Sequence, residues 1–293
     1  MYPALKPMKL ILRGVVVYSL LGAAAPLLPA SEGPYFVTYT HQMEEQGNLD
    51  LENRSVLGQP QGGDLFGATA MELEYGLLGW WTTELYLDGQ ATAQQSAIFT
   101  GFRWENRFRL ARREHWINPV LYVEFEDING ADKTLLEVVG HDSQQDFLIP
   151  NSVLRTVKQR EIETKLLLGS NWRGWNFSEN FIVEKNVAHF PWEFGYAVGV
   201  YRPLALEARP DRCNLCRENF RTGVEFYGGL GDTQSLTLRD TSHYVAPILE
   251  WTLSSGLALK VSPSFGTTDT SFPVLLRVGL SYEFTQFARR YHR

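Results

Sequence analysis

The chain has 293 residues, enough for one large or two small domains. A net charge of −6 gives no electrostatic reason to expect nucleic-acid binding, and an aromatic content of 13% excludes a disordered, highly charged chain. With only two cysteines, a small scaffold stapled by several disulfides is also excluded.

Residues 1–30 have the pattern of a secretory signal peptide. Basic residues precede an apolar run, Val15–Leu28, and small residues follow it. Cleavage is expected after Ala30, with Ala23–Ala25 as an earlier option. The run is shorter than the roughly 18 residues typical of a membrane-spanning helix, and an uncleaved anchor helix is the alternative. We therefore expect the chain to be exported from the cytoplasm.

The rest of the chain alternates between runs of period-two hydrophobicity and turn-rich gaps, a pattern typical of β-strands. The predicted strands are Tyr35–Gln42, Leu65–Leu77, Trp80–Asp88, Ala97–Leu110, Pro119–Asp127, Val157–Gly169, Trp175–Val187, Pro191–Tyr201, Phe220–Leu230, Tyr244–Leu253, Leu257–Phe265 and Phe272–Phe284. Most of these reach the roughly 9–11 residues that a tilted strand needs to cross a bilayer. Their number, about twelve, is even, as bacterial single-chain barrels require.

No apolar run beyond the signal region is long enough to cross a membrane as a helix. A membrane protein with this sequence must therefore be a closed barrel, because only helices and closed barrels satisfy their backbone groups in lipid. We predict an all-β, antiparallel up-and-down transmembrane barrel over residues 31–293. A soluble periplasmic β-protein is the alternative.

The connections mostly alternate between long and short, as expected when outer loops are long and periplasmic turns are short. The longest gap, residues 128–156, is predicted to be an outer loop. Two connections break the rule, since Ala188–Phe190 is short and Arg202–Asn219 is long. The strand number is therefore predicted only to within two.

Alternation divides each strand into an apolar face, which we assign to lipid, and a charged face, which we assign to the lumen. Glu179 is the exception on the lipid side, so either it lies near an interface or its strand is out of register by one. The residues predicted to line the lumen are Arg103, Glu105, Arg107, Arg109, Glu124, Glu126, Glu161, Glu163, Lys165, Glu225, Lys260 and Arg277. They indicate either a constriction that selects solutes or a salt-bridge network that fills the barrel and leaves no pore.

The last predicted strand resembles the C-terminal insertion signal of bacterial outer-membrane barrels. The residues that carry this resemblance are Arg277, Gly279, Tyr282 and Phe284. The resemblance implies that the strand closes the barrel and is recognised by the barrel-assembly machinery. One departure is that the signal usually ends the chain, whereas Thr285–Arg293 follow it here.

Three further motifs contain residue types that can carry out catalysis or bind metals. Cys213 and Cys216 form a CxxC, which could be a disulfide within a turn, a redox pair or half of a metal site. The single His-x-Ser, at His141 and Ser143, lacks the strand context and the Asn-Gly continuation of the outer-membrane phospholipase, so no catalytic residues are predicted.

The acidic run Glu124–Asp132 has the wrong glycine spacing for a calcium-binding EF-hand loop. It is expected to be a solvated loop start, and neither a metal site nor a cofactor is predicted.

Two blocks, Leu73–Leu87 and Asn118–Glu126, resemble the phenol meta-pathway transporter-like family of outer-membrane proteins. The resemblance implies a porin-like barrel that passes small organic molecules, with the outer-membrane bilayer and a small-molecule solute as partners and no nucleic acid. The sequence leaves a second hypothesis open. It is a non-conducting barrel that acts as a structural or interaction protein through the loop at residues 128–156.

Overall fold

The structure, a computed structural model, describes residues 33–188, 191–206, 213–253 and 255–287. Within these residues the chain forms twelve antiparallel strands that close into one barrel, with β12 paired to β1, which confirms the predicted fold class. The strands are β1 Leu49–Gly58, β2 Phe66–Leu78, β3 Trp81–Thr92, β4 Ala97–Arg109, β5 Asn118–Asn129, β6 Lys158–Trp172, β7 Trp175–Asn186, β8 Glu193–Pro203, β9 Phe220–Asp232, β10 His243–Thr252, β11 Leu257–Gly266 and β12 Val274–Phe284. The predicted signal peptide lies outside the described residues.

Each strand presents apolar side chains to the outside and polar or charged side chains to the inside. In β12, Val274 and Leu276 point outward and are 47% and 39% exposed, whereas Arg277 points inward and is 3% exposed. A soluble β-sandwich would have the reverse arrangement, with apolar side chains in its core. The apolar exterior is the arrangement of a barrel surrounded by lipid.

The first strand differs from the prediction. Residues Tyr35–Gln42 are not part of the sheet, and β1 is formed by Leu49–Gly58, a stretch predicted to be a polar loop. Asn53 and Ser55 gave β1 the pattern of a loop, because they are polar residues on its outward face. They are hydrogen-bonded with Thr69 of β2 at 2.7 and 3.2 Å, so their polar groups are satisfied on the exterior.

Tyr35–Gln42 belong to a segment that runs through the inside of the barrel. We call this segment, residues 33–48, the plug segment. Tyr35, Phe36, Val37 and Tyr39 are each at most 5% exposed. The prediction failed because a buried, extended segment has the same composition and alternation as a strand, although its backbone pairs with side chains instead of with a neighbouring strand.

The connection between β5 and β6, residues 130–157, is called the long loop. It contains a short 3₁₀ helix, Gln144–Leu148, and one turn of α-helix, α1, Asn151–Leu154. Part of this loop folds into the barrel, since Val138 packs with Phe36 and Val37 of the plug segment in one buried apolar cluster. Among the described residues, no helix has the length and apolarity needed to cross a membrane.

Glu179 faces outward on β7, among apolar neighbours. Its strand pairs with β6 and β8 without a break in register, Glu179 lying opposite Leu168 and Val198. The alternative explanation, a strand out of register by one, is therefore wrong. Glu179 is thus a carboxylate on the outward face, and its position near an interface, the remaining explanation, stays a prediction.

We predict that Glu179→Leu stabilises the membrane-inserted barrel by about 1 kcal/mol, because a charged residue on the lipid face is unfavourable and a carboxylate less so than a lysine or arginine. Urea unfolding in phospholipid vesicles measures this change. Asp269→Leu, in the exposed connection between β11 and β12, is the control and should give no gain. An unchanged midpoint for Glu179→Leu would contradict the assignment of this face to lipid.

Candidate functional site

The lumen wall carries a continuous row of acidic residues. Ten of them lie directly opposite one another across ten successive strands, from β12 through β1 to β9, and we call this row the acidic ladder. Its members, in order, are Glu283, Asp50, Glu74, Glu84, Glu105, Glu124, Glu163, Glu184, Glu193 and Asp232. Like charges directly opposite each other destabilise a sheet, so the fold requires cations inside the barrel.

Arg107 neutralises one part of the acidic ladder. Its side chain is fully buried, and its guanidinium contacts the carboxylates of Glu74 and Glu84 and lies 3.2 Å from Glu105. The residues come from three neighbouring strands, β2, β3 and β4, which alternation brings to the same face. A planar guanidinium with several donors suits this role better than a lysine ammonium does.

Two further cations serve the next part of the wall. Arg103 contacts Asp88 at 2.8 Å and Glu126 at 2.9 Å, and Lys165 contacts Glu163 at 2.8 Å. Both cations also reach Glu137, at 2.7 and 3.4 Å. The wall cations thereby hold the long loop inside the barrel.

Glu137 itself belongs to the long loop and lies outside the strands. Burial alone would raise the pKa of Glu137, but Arg103 and Lys165 together hold that pKa below its usual value. Its carboxylate is therefore charged in the folded barrel, as an anchor between two cations requires.

The plug segment is held by a different set of contacts. The backbone N–H groups of Phe36, Val37 and Thr38 all donate to the carboxylate of Glu225, at 2.9, 2.9 and 2.7 Å. The side chain of Asn180 bonds both the N–H and the C=O of Tyr39, at 2.6 and 2.9 Å. The wall thus supplies the hydrogen bonds that the plug backbone would make in a sheet.

Tyr39 brings the plug segment into contact with the charged part of the wall. Its hydroxyl lies 3.2 Å from the hydroxyl of Tyr86 and 3.2 Å from Glu105, and its ring packs edge-on against Tyr122. Lys165 lies 4.6 Å from the centre of the same ring. The plug segment therefore completes a narrow group of aromatic and charged side chains across the lumen. We call this group the belt, and it contains Tyr39, Tyr86, Glu105, Tyr122 and Lys165.

A cavity lies on each side of this belt. The cavity at the end of the barrel that carries the long loop, called the outer vestibule, has a volume of about 490 Å³ and is lined by Asp132, Glu161 and Glu193, among others. The cavity at the opposite end, the inner vestibule, has a volume of about 1040 Å³, and its lining includes His41 of the plug segment and Arg109. The belt thus separates a vestibule at one end of the lumen from a vestibule at the other.

All twelve residues predicted to line the lumen lie on the inward face. Ten of them are fully or almost fully buried, whereas Glu161 is half-buried at the outer vestibule and Arg109 is exposed at the inner one. Their predicted role in solute passage stays a prediction.

Three inward residues of β1, namely Asp50, Glu52 and Arg54, were not predicted, because the sequence of that strand predicts a loop. It also missed Glu84, Glu184 and Glu193. Their position on the charged face of predicted strands could have identified them as inward residues. Only the register between strands shows that they continue the acidic ladder.

The residues of the predicted C-terminal signal lie on β12. Arg277 points inward and donates to the backbone oxygen of Leu135, whereas Tyr282 packs against Phe284 near the end of the strand. Recognition by the assembly machinery stays a prediction. Elsewhere, Cys213 and Cys216 are joined by a disulfide in the connection between β8 and β9.

The other two motifs do not form sites of their own. Ser143 caps the 3₁₀ helix, accepting from Gln145 N, and His141 lies 3.8 Å from Asp232. In the acidic run after Glu124, Asp127 points outward to Lys158 and Arg160, while the neighbouring glutamates point into the lumen. Alternation along β5 therefore separates the run onto two faces.

A scan against protein-family models found no match, and neither did a search of curated proteins. Solved barrels are similar in architecture. The porin KdgM, in complex with disordered oligogalacturonate, is 9% identical over 81% of this chain and 99% of its own, with a TM-score of 0.46. An outer membrane channel from Pseudomonas putida F1 is 9% identical over 83% of this chain and 97% of its own, with a TM-score of 0.47. The resemblance to the phenol meta-pathway transporter-like family is not confirmed and stays a hypothesis.

We predict that Arg107→Ala destabilises the folded barrel by about 3–5 kcal/mol, because it leaves three buried carboxylates without their cation. Arg109→Ala is the matched control, since it removes an exposed arginine from the same face of the same strand. Urea unfolding followed by tryptophan fluorescence measures both. Equal midpoints for the two variants would show that the acidic ladder does not depend on Arg107.

Proposed function

We propose that this protein is a porin-like channel of the bacterial outer membrane. A closed barrel with an apolar exterior and a charged interior supports the membrane location, because such a barrel satisfies every backbone group and places its charges away from lipid. Export by the predicted signal peptide and insertion by the barrel-assembly machinery are part of the same proposal.

One observation carries the channel function. The plug segment forms part of the obstruction between the two vestibules, is held there by hydrogen bonds and is not a strand of the wall. Displacing the plug segment from Glu225 and Asn180 would widen the lumen between the vestibules without breaking any pair of strands. In this proposal, the described conformation is the closed state of the channel.

The lining of the pathway defines the class of solute. The charged residues of the outer vestibule are mostly acidic, with Asp132, Glu161 and Glu193 among them, and the belt behind it carries Tyr39 and Tyr86. Carboxylates attract cations, and tyrosine rings bind cations and flat organic groups on their faces. Small organic solutes, cationic or aromatic, fit this lining best. No catalytic role is proposed.

A second candidate is a non-conducting barrel that presents the long loop to a partner. The observation in its favour is the closed belt, in which Arg107, Tyr86 and Tyr122 are completely shielded from solvent. The two candidates differ in one property, the ability of the plug segment to leave the lumen.

Single-channel recording in planar bilayers separates them. We expect rare openings from the wild-type protein and an open probability about tenfold or more higher for Glu225→Ala. The reason is that hydrogen bonds to a charged acceptor contribute about 1.5–3 kcal/mol each, and three are lost. Glu225→Gln keeps one acceptor oxygen and should fall between the two.

Glu179→Gln, which removes a carboxylate from the barrel exterior, is the control and should behave as the wild type does. Silence from wild type and Glu225→Ala, both shown to be folded by heat-modifiable migration, would favour the non-conducting barrel. Openings with the same probability in both would retain the channel and reject the plug as its gate.

We also predict that acidification opens the channel through His41. Burial lowers the pKa of His41 below its usual 6.5, with Arg109 adding to this and Glu114 opposing it, so the plugged state favours neutral imidazole. Above pH 6.5 the imidazole of His41 is neutral and does not disfavour the plugged state. As the pH falls below 6.5, protonation of His41 favours the open state, so the plugged state loses stability relative to it. Open probability should therefore rise between pH 7.5 and pH 5, and His41→Gln should flatten that rise. An identical pH response in His41→Gln would exclude this histidine as the sensor.

A further inference from the structure

Three glutamates on neighbouring strands meet at the wall of the outer vestibule. Glu126 on β5 lies opposite Glu161 on β6, and Glu184 projects from β7 beside them. One carboxylate oxygen from each lies within 4.8 Å of the other two. The three residues come from the same inward-facing pattern that forms the acidic ladder, so the sheet itself holds them together.

Glu184 is a buried glutamate whose negative charge is not balanced by a cation of the described residues. It is only 7% exposed, yet across the described parts of the chain it has neither a hydrogen bond nor an ion pair. Its opposite neighbours in the sheet are Glu163 and Glu193, so the nearest charges are of the same sign. A buried, charged carboxylate without a partner is strongly unfavourable, so Glu184 must either be protonated or bind a cation.

The wall cations do not supply that partner. The carboxylates within ion-pair distance of Arg103 or Lys165 are Asp88, Glu124, Glu126, Asp132, Glu137 and Glu163. Two positive charges are thus shared by six carboxylates before Glu184 and Glu161 are considered. Glu126 also has a free oxygen, because Arg103 contacts Oε2 and Oε1 accepts no hydrogen bond from a described residue.

We propose that Glu126, Glu161 and Glu184 bind one hard divalent cation, with Ca²⁺ the ion that fits best. Carboxylate oxygens are the ligands that Ca²⁺ and Mg²⁺ prefer, and Ca²⁺ accepts irregular sets that include bidentate carboxylates, whereas Mg²⁺ demands a near-ideal octahedron. The bound ion would supply the positive charge that the acidic ladder lacks between β5 and β7.

The site also has a structural consequence. Glu184 belongs to a second group, with Glu163 of β6 and Glu137 of the long loop, whose carboxylate oxygens again lie within 4.8 Å of one another. A cation held by Glu184 therefore lies close to Glu137 and favours the inward position of the long loop. Cation binding and the folding of this loop into the barrel should be coupled.

The direct test is calorimetric titration of the folded barrel in detergent with Ca²⁺, after treatment with EDTA and at constant ionic strength. We expect saturable binding of one ion per barrel in the wild type. Glu184→Gln should weaken binding at least about tenfold, because even groups that only orient metal ligands contribute that much. Glu161→Gln, which is less buried, should weaken it as well.

The matched control is Glu179→Gln, which removes a carboxylate from the same strand, β7, but on its outward face. It should bind Ca²⁺ as the wild type does. The thermal midpoint of each variant without Ca²⁺ verifies folding, and only proteins with an intact site should gain stability when Ca²⁺ is added. No saturable binding by the wild type, or equal binding by Glu184→Gln, would overturn the proposal. Because the measurement needs no conduction, its result is independent of the channel function.

Discussion

The interior of this barrel depends on the neutralisation of its own carboxylates. Ten acidic residues stand opposite one another around the wall, and pairing of this kind destabilises a sheet unless cations lie between them. Arg107, Arg103 and Lys165 occupy that position from β4 and β6, and each serves two or more carboxylates. The register of the strands is therefore not free, because a slip of one residue would move these charges onto the apolar exterior. Charge pairing inside and apolar side chains outside specify the same register.

The plug segment adds a second set of polar requirements to the same lumen. Its backbone amides need acceptors, and the wall supplies Glu225 and Asn180 in place of a neighbouring strand. These bonds are local and few, whereas each strand of the wall is hydrogen-bonded along its length on both sides. Detachment of the plug segment would leave every strand pair of the wall intact, as the proposed gating requires.

Much of this architecture could be predicted from period-two alternation. Eleven of the twelve strands and the closure by Phe272–Phe284 follow from patterns that are strong because one side of each strand is apolar. The first strand could not be predicted, because Asn53 and Ser55 interrupt the apolar face of Leu49–Gly58 and are satisfied by a residue on another strand. Tyr35–Gln42 was wrongly predicted to be a strand, because a composition rich in β-forming residues does not distinguish a strand from an extended segment inside a lumen. The acidic ladder and Glu184 depend on register between strands, which one sequence does not reveal.

The two halves of the wall differ in a way that links these features. Strands β2 to β7 project long charged side chains, whereas inward positions on β8 to β11 are often small, among them Ala197, Gly199, Ala246 and Ser262. The start of the plug segment packs on the small side, where a Cβ atom at Gly199 would clash with the ring of Tyr35. At Tyr39, however, the plug segment contacts Glu105 and Lys165 of the charged side, so it spans both parts of the lumen. The proposed gating would act through Glu225 on β9 and the proposed cation site through Glu184 on β7, so the two proposals depend on different carboxylates.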